Sequence, residues 1–247
     1  MTDKTVIKFN ANDAMDQWEA MPQDELTSAV PVQKGKEYFS EHNGNLTMGL
    51  WECTPFEAKL DGYPVDEFMH ILEGSVTIID ESGKQRTYSA GENFVIPKGH
   101  NCIWKQTETI KKFYVIFEDA SHVDNSAYRS SSLRIDSNMP LIAMGGLSTS
   151  GFEGDIPEMA IGSAYKDVTS QFEVGVWDCN QMKRVPSAIN RSELMIILEG
   201  HGSIINGDGI SFDFTAGDVF AVPVGMGYQW VSEVYVKKVF CSLTPNA

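Results

Sequence analysis

The stretch EFMHILEGSVTIIDESG occupies residues Glu67–Gly83, and the similar stretch ELMIILEGHGSIINGDG occupies Glu193–Gly209, 126 positions further along the chain. With this offset, residues 49–112 align with residues 175–238 without a gap, and 20 of the 64 aligned pairs are identical. The identical pairs include glycines, prolines and tryptophans, which chance does not keep in register over such a length. The sequence therefore predicts a tandem duplication with one domain in each half.

Each half has the pattern of a β protein. Short runs rich in β-branched and aromatic residues alternate with turn residues, and glycines in the loops Glu81–Gly83 and Asn206–Gly209 suit the positive φ of tight hairpins. Many short strands without intervening helices predict two small barrels or sandwiches. We place the N-terminal domain at 1–120 and the C-terminal domain at 121–247, because the segment Glu118–Ser132 is polar and rich in small residues.

One helix is predicted near the start of the chain, over the sequence ANDAMDQWEAM at residues 11–21. Either Asn10 or Asn12 could cap its first turn. Its apolar stripe would consist of Met15, Trp18 and Met21.

Composition and charge exclude several classes of function. The 247 residues carry a formal charge of 19 − 34 = −15, so we expect neither nucleic acid nor an anionic membrane surface as a partner. The sequence contains no apolar run of the roughly 18 residues that a membrane span needs, and we identify no signal peptide. The four cysteines lack CxxC spacing, which favours reduced thiols and a cytoplasmic protein.

A pair of spaced motifs occurs in both halves. The first is Glu, six residues, then Gly; the second is Gly, five residues, then Pro-x-Gly. They comprise Glu67, Gly74, Gly91, Pro97 and Gly99 in the first half, and Glu193, Gly200, Gly217, Pro223 and Gly225 in the second. This pattern resembles the two motifs of the cupin superfamily. The phrases LWEC and VWDC resemble cupin type 3 proteins, a branch similar to the ethanolamine-utilisation cupin and, more distantly, to ureidoglycine aminohydrolase.

The resemblance implies an all-β bicupin, in which two tandem double-stranded β-helix (jelly-roll-like) barrels each have a pocket open at one end. It also implies a divalent metal held by histidines and one glutamate. No histidine occupies a position of that pattern, in which Cys102 and Tyr228 stand at the last ligand position. We therefore expect no metal cofactor. The alternative is a metal site built from Asp61, Glu67, His100 and Cys102.

The retained glutamates, Glu67 and Glu193, are the candidate catalytic residues. By the alternation of a strand, each should point into its barrel, whereas His70 should point outward. A buried carboxylate must be hydrogen-bonded, or protonated with a raised pKa. It could act as a general base, anchor an amine or hydroxyl of a ligand, or fix neighbouring backbone amides in a purely structural role.

Further residues near these glutamates are candidates for ligand binding. The two tryptophans among them could form an apolar wall, stack on a cation or simply pack in the core. We expect the cysteine to be a buried thiol and the histidine to lie at the pocket rim. The candidates are Asp61, Tyr63, His100, Cys102 and Trp104 in the first half, and Arg191, Tyr228 and Trp230 in the second.

Three functions remain open on the sequence alone. The leading interpretation is a bicupin that binds a small polar metabolite in one barrel, as an enzyme of small-amine or ureide metabolism. The alternatives are a metal-dependent cupin enzyme, aminohydrolase- or isomerase-like, and a non-catalytic structural or interaction protein with filled barrels. We also expect a homodimer, from the family resemblance and because the strands that follow Glu67 and Glu193 are apolar on both faces.

Overall fold

The computed structural model describes residues 4–41, 44–119 and 131–246. Within these ranges the chain is built from β-strands and contains no α-helix; Gln23–Glu25 and Thr149–Gly151 form short 3₁₀ turns. As far as the structure describes the chain, no helix is long and apolar enough to cross a membrane. The predicted all-β class is confirmed.

The strands are numbered in chain order. Those before residue 120 are β1 (Ile7–Phe9), β2 (Asp16–Gln17), β3 (Gln33–Glu41), β4 (Leu46–Cys53), β5 (Phe56–Leu60), β6 (Asp66–Glu73), β7 (Ser75–Asp80), β8 (Gln85–Ser89), β9 (Asn93–Ile96), β10 (Cys102–Gln106) and β11 (Ile110–Phe117). Those after residue 130 are β12 (Leu133–Arg134), β13 (Ile142–Ala143), β14 (Met159–Lys166), β15 (Phe172–Cys179), β16 (Met182–Lys183), β17 (Ser187–Ala188), β18 (Ser192–Glu199), β19 (His201–Ile205), β20 (Ser211–Thr215), β21 (Val219–Val222), β22 (Gly227–Ser232) and β23 (Val236–Leu243).

The chain divides into two compact units whose bounds differ from the predicted domains, 1–120 and 121–247. One unit is Asn10–Asp136, and the other joins Met1–Phe9 to Ser137–Ala247. The difference arises because β1 pairs with β21 and β12 pairs with β9, so each unit takes a short edge strand from beyond the predicted boundary. Most of the predicted linker, Glu118–Ser132, lies outside the described residues.

The N-terminal unit consists of two antiparallel sheets around one core. In its described residues the larger sheet has the order β12-β9-β6-β11-β4-β3-β2, and the smaller sheet has the order β5-β10-β7-β8. Trp51 and Met69 from the larger sheet pack in the same cluster as Ile78 and Trp104 from the smaller one. The centre of the larger sheet is therefore the place where an inward side chain reaches the barrel interior.

The C-terminal unit repeats this arrangement. Its larger sheet, in the described part of the chain, has the order β1-β21-β18-β23-β15-β14-β13, and its smaller sheet has the order β16-β22-β19-β20, with β17 also paired to β22. The three central strands β18, β23 and β15 correspond to β6, β11 and β4. Both large sheets also carry a register shift at the equivalent point. It lies between Lys111 and Lys112 where β11 pairs with β6, and between Ile197 and Glu199 where β23 pairs with β18. The predicted duplication is confirmed strand by strand.

The helix predicted over residues 11–21 is wrong. Asp16 and Gln17 instead form β2 on the edge of the larger sheet, and Trp18 lies against Gly35, where a Cβ would stand 2.2 Å from the indole ring. The side chain of Asn10 accepts a hydrogen bond from the amide of Asn12 at 3.0 Å in a local turn. Tertiary packing of the tryptophan overrides the weak helical periodicity.

Gly74 provides a test of the turn between β6 and β7. Its φ is +76°, and an added Cβ would lie 2.3 Å from the carbonyl oxygen of Thr109. Backbone strain and the clash should together lower the free energy of unfolding of Gly74→Ala by about 2–4 kcal/mol in urea titration.

Gly83→Ala is the matched control for this change. Gly83 has a similar φ of +80°, but no atom of the described residues lies within 4 Å of an added Cβ. Only the left-handed backbone then opposes alanine, so we expect a loss of about 1 kcal/mol. Equal losses in the two variants would show that the approach of Thr109 is unimportant.

Candidate functional site

Glu67 forms a buried ion pair with Lys112 in the N-terminal unit. The Nζ atom of Lys112 donates to Oε1 of Glu67 at 2.8 Å and lies 3.1 Å from the sulfur of Met69. The side chains of Lys112 and Glu67 are only 6% and 7% exposed. The candidate site is thus centred on two opposite charges held inside a barrel.

The strand register explains why Lys112 points inward. β11 lies between β6 and β4, and Lys112 is paired with Ile71 on one side and Trp51 on the other. Because side chains alternate along a strand, Lys112 shares the inner face with Tyr114, while Lys111 belongs to the opposite face. The predicted inward direction of Glu67 follows from the same alternation, since Met69 and Ile71 lie in the barrel core.

Two tryptophans flank the ammonium of Lys112. Its Nζ atom lies 4.7 Å from the ring centroid of Trp51 and 5.0 Å from that of Trp104, and the two rings are nearly perpendicular, at 88°. The indole N–H of Trp51 donates to Gln33 at 3.0 Å, and that of Trp104 donates to Gln106 at 2.9 Å. The tryptophans are therefore fixed in position, and their faces stabilise the cation.

Tyr63 completes the first site. Its hydroxyl donates a short hydrogen bond to Oε2 of Glu67, the oxygen that Lys112 leaves free. Burial, followed by the neighbouring carboxylate of Glu67, raises the pKa of Tyr63 well above its usual range. Tyr63 therefore remains a hydrogen-bond donor, and both oxygens of Glu67 are engaged.

A cavity of about 580 Å³ opens beside this pair. Glu67, Lys112, Tyr63, Trp51 and Trp104 all line it, and Glu25 and Glu37 line it as exposed residues. Its apolar walls include Met21, Leu26, Phe56, Leu60 and Ile116. The N-terminal barrel is consequently not filled by its own side chains.

The C-terminal unit contains the same ion pair with a different second partner. Lys238 donates to Oε1 of Glu193 at 2.5 Å and lies 4.9 Å and 5.1 Å from the ring centroids of Trp177 and Trp230. Arg191 Nε donates to Oε2 at 2.6 Å, where the first site has a tyrosine. Burial opposes ionisation of Glu193, but the two cations outweigh it and lower its pKa to about 2.

The second cavity is smaller, at about 250 Å³. Arg191, Glu193, Tyr228 and Lys238 line it, together with Arg184. Burial is the main cause that raises the pKa of Tyr228, so its hydroxyl stays protonated. The two barrels therefore share a core pair and differ in the volume and charge around it.

Three predicted ligand-binding residues do not line the first cavity. The side chain of Asp61 is 77% exposed and pairs with Lys59 at 3.1 Å. His100 is buried, where burial lowers its pKa, and its Nε2 atom has no hydrogen-bond partner among the described residues. Cys102 packs in the hydrophobic core, and burial raises its pKa to about 11. The expectation that these residues meet Glu67 at one pocket is not met.

The remaining candidates lie where the sequence placed them. Tyr63 and Trp104 line the first cavity, and Arg191 and Tyr228 line the second. Trp230 is fully buried behind Lys238. The opposite face of β6 carries His70, whose Nδ1 atom lies 2.8 Å from the side-chain oxygen of Asn93.

The donors at these sites do not fit the divalent metal that the cupin fold implies. Lys112 and Tyr63 already occupy both oxygens of Glu67, and in the second barrel the cations Arg191 and Lys238 occupy those of Glu193. Within residues 4–41, 44–119 and 131–246, no three His, Cys, Asp or Glu side chains converge as a metal site. In each barrel a lysine ammonium occupies a glutamate oxygen that a metal would need as a ligand.

Sequence reasoning missed the lysines. Lys112 and Lys238 are identical in the repeat alignment and lie in strands that are otherwise mostly apolar, IKKFYVIF and VKKVFCSL. A lysine repeated at the same position of two mostly apolar strands was the pattern that could have indicated a buried, functional charge. Arg184 gave no comparable signal, because it follows a strand of only two residues.

Comparison with known proteins identifies the family. The EutQ-like cupin domain matches residues 40–114 and 167–240, and the chain therefore belongs to this cupin family. No curated protein matches the sequence. The predicted bicupin of the cupin type 3 branch is confirmed.

Solved structures share the fold at low sequence identity. A protein of unknown function from the DUF861 family of Pseudomonas syringae pv. tomato is 21% identical, with a TM-score of 0.79 over 97% of this chain and 99% of that one. A cupin 2 conserved barrel domain protein from Leptotrichia buccalis is 13% identical, with a TM-score of 0.58 over 93% and 100%. The protein Ylba from E. coli, also of the DUF861 family, is 11% identical, with a TM-score of 0.53 over 93% and 89%.

The N-terminal ion pair can be tested with a single and a double variant. Lys112→Met leaves the buried carboxylate of Glu67 without its cation, and we expect it to lower the free energy of unfolding by about 3–5 kcal/mol. Adding Glu67→Gln should restore most of this loss, because no unpaired charge then remains. Chemical denaturation measures both, and a double variant no more stable than Lys112→Met would contradict the assignment.

The C-terminal pair predicts a pH dependence. Because the pKa of Glu193 falls from its ordinary 4.5 to about 2 on folding, its charge stabilises the fold above 4.5, and this contribution is lost as the pH falls towards 2. The stability difference between the wild type and Glu193→Gln should shrink by about 3 kcal/mol over that range. A stability difference that does not change with pH over this range would contradict the assignment.

Proposed function

We propose that this cupin binds a small amine-bearing metabolite in the cavity of its N-terminal barrel. The observation that carries the proposal is the charge of that cavity. Among the described residues, three carboxylates, Glu25, Glu37 and Glu67, line it with one ammonium, Lys112, so their formal balance is −3 + 1 = −2. A concave site with excess negative charge attracts and concentrates a cation.

The rim carboxylates are free to contact a ligand. Glu25 and Glu37 are exposed and, in the part of the chain that the structure describes, form no ion pair, whereas Glu67 is already neutralised by Lys112. The rings of Trp18 and Tyr114 lie on the same cavity wall and can stack on a cation. An ammonium group is therefore best accommodated near the rim.

The inner end of the cavity, at Lys112, favours a hydrogen-bond acceptor on the ligand rather than a second ammonium. An ammonium has three N–H donors, and Lys112 directs one to Glu67 and one to Met69. Its third N–H can donate to a carbonyl or hydroxyl oxygen of the ligand. A small amine that also carries an oxygen acceptor, such as an amino alcohol or a ureide that bears a separate amino group, satisfies both ends.

The open cavity also favours binding over a purely structural role, since barrels packed solid would have no such volume. Within the proposed site, Glu67 anchors Lys112 and Tyr63 rather than acting as a free general base, because both its oxygens are engaged. A reaction on the amine or ureide would use the orientation that this pair provides. A metal-dependent reaction finds less support in this donor set.

We further propose a cytoplasmic homodimer. The four cysteines are buried and free, as expected in a reducing compartment. The dimer rests on the family resemblance alone, because Phe68, on the outer face of strand β6, is already fully buried within the single chain.

Calorimetry with ethanolamine tests the amine site. Ethanolamine should bind the intact protein, and ethylene glycol, which has nearly the same size without the charge, should bind at least tenfold more weakly. Glu37→Gln removes one rim carboxylate and should weaken ethanolamine binding about fivefold, which corresponds to about 1 kcal/mol.

Glu52→Gln is the matched control for charge. Glu52 lies in the same unit and pairs weakly with Lys34, at 3.8 Å, but does not line the cavity. Its effect on ethanolamine binding should stay within twofold. The proposal fails if ethanolamine and ethylene glycol bind alike, or if Glu52→Gln weakens binding as much as Glu37→Gln does.

A further inference from the structure

We propose that the C-terminal barrel contains a second binding site, which takes a small carboxylate. This site involves none of the residues of the amine site and does not depend on it. Its basis is the guanidinium of Arg184, which reaches the cavity beside Glu193 and has a buried donor without an acceptor.

The charge of this cavity is opposite to that of the first one. In the part of the chain that the structure describes, three cations line it, Arg184, Arg191 and Lys238, against the carboxylates Glu173 and Glu193, so the formal balance is +3 − 2 = +1. Glu193 has both oxygens engaged by Arg191 and Lys238, and Glu173 pairs with Lys166 at 3.4 Å. The cation left over is Arg184.

The backbone holds Arg184 in place for a ligand. Its amide donates to the carbonyl of Trp230 at 2.9 Å, and its guanidinium lies 5.8 Å from the ring centroid of Phe152. The preceding Lys183 lies outside the cavity and pairs with Glu153 at 2.6 Å. Arg184 and Met182 thus line the cavity, whereas Lys183, between them in the sequence, does not.

The Nε atom of Arg184 is buried without a hydrogen-bond partner in the described part of the chain. A buried, unsatisfied donor on a charged group is costly, and native structures rarely leave one. No carboxylate among the described residues forms an ion pair with Arg184. An anion that enters the cavity would supply the missing acceptor.

Two more donors are available in the same cavity. Arg191 uses Nε for Glu193, and its remaining nitrogens form no hydrogen bond with described residues; its side chain is 39% exposed, which opens the site to solvent. The hydroxyl of Tyr228 stays protonated and lines the cavity. The planar forks of arginine match the two oxygens of a carboxylate.

Size and lining restrict the ligand. A cavity of 250 Å³ holds about eight water volumes, so the acid must be compact. Met144, Met159 and Ile161 form part of the wall, which suits a short aliphatic chain. The aligned position of Arg184 in the first barrel is Ala58, and that of Tyr228 is Cys102, so the first barrel cannot form this site.

The test is calorimetric titration of the intact protein with butyrate and succinate, with butyramide as the neutral match. Butyrate or succinate should bind saturably, and butyramide should bind at least tenfold more weakly. Arg184→Gln should weaken carboxylate binding at least tenfold, because it removes the unpaired charge. Lys183→Gln, one residue away and outside the cavity, should change the affinity by less than twofold.

A second variant guards against misfolding of the first. Tyr228→Phe keeps the ring and removes only the hydroxyl, and it should weaken carboxylate binding several-fold; thermal denaturation checks that both variants are folded. The proposal is overturned if neither acid binds saturably, if butyramide binds as well as butyrate, or if Lys183→Gln matches the loss in Arg184→Gln. Ethanolamine binding should be unchanged in Arg184→Gln, so the two sites can fail separately.

Discussion

The buried pairing of a glutamate with a lysine across two neighbouring strands is the interaction on which each barrel depends. Glu67 on β6 and Lys112 on β11 would each be costly to bury alone. Their charged atoms lie 2.8 Å apart, and the ammonium of Lys112 also lies against two indole rings. A slip of one residue between these strands would send Lys112 outward and Lys111 inward. The pair therefore specifies the strand register as well as the polarity of the cavity.

Duplication kept this pair and changed its surroundings. Glu193 and Lys238 repeat the geometry, with two tryptophans at nearly the same distances from the ammonium. Beyond the pair, a neutral hydroxyl donor in the first barrel is replaced by the guanidinium of Arg191 in the second, and the cavity shrinks from about 580 to about 250 Å³. A common scaffold thus presents pockets of opposite charge.

The sequence predicts the duplication, the β class and the inward glutamates because these rest on local periodicity and on glycine turns. It predicts the site only in part. Lys112 and Lys238 had a readable pattern, whereas Arg184 lies beside a two-residue strand with no periodicity to interpret. The failed helix around Trp18 has the same origin, since its conformation is decided by the distant Gly35. Contacts between residues far apart in sequence determine what local patterns cannot.

The pairing of β1 with β21 has a consequence for biosynthesis. Ile7 is synthesised well before its partner, Ala221, because 221 − 7 = 214 positions separate the two residues along the chain. The N-terminal unit, which lies between them in the sequence, can fold while β1 is still unpaired. An unpaired strand is prone to aggregation and proteolysis. The C-terminal barrel therefore cannot gain this edge strand until β21 has been synthesised, which makes the pairing a late step in folding.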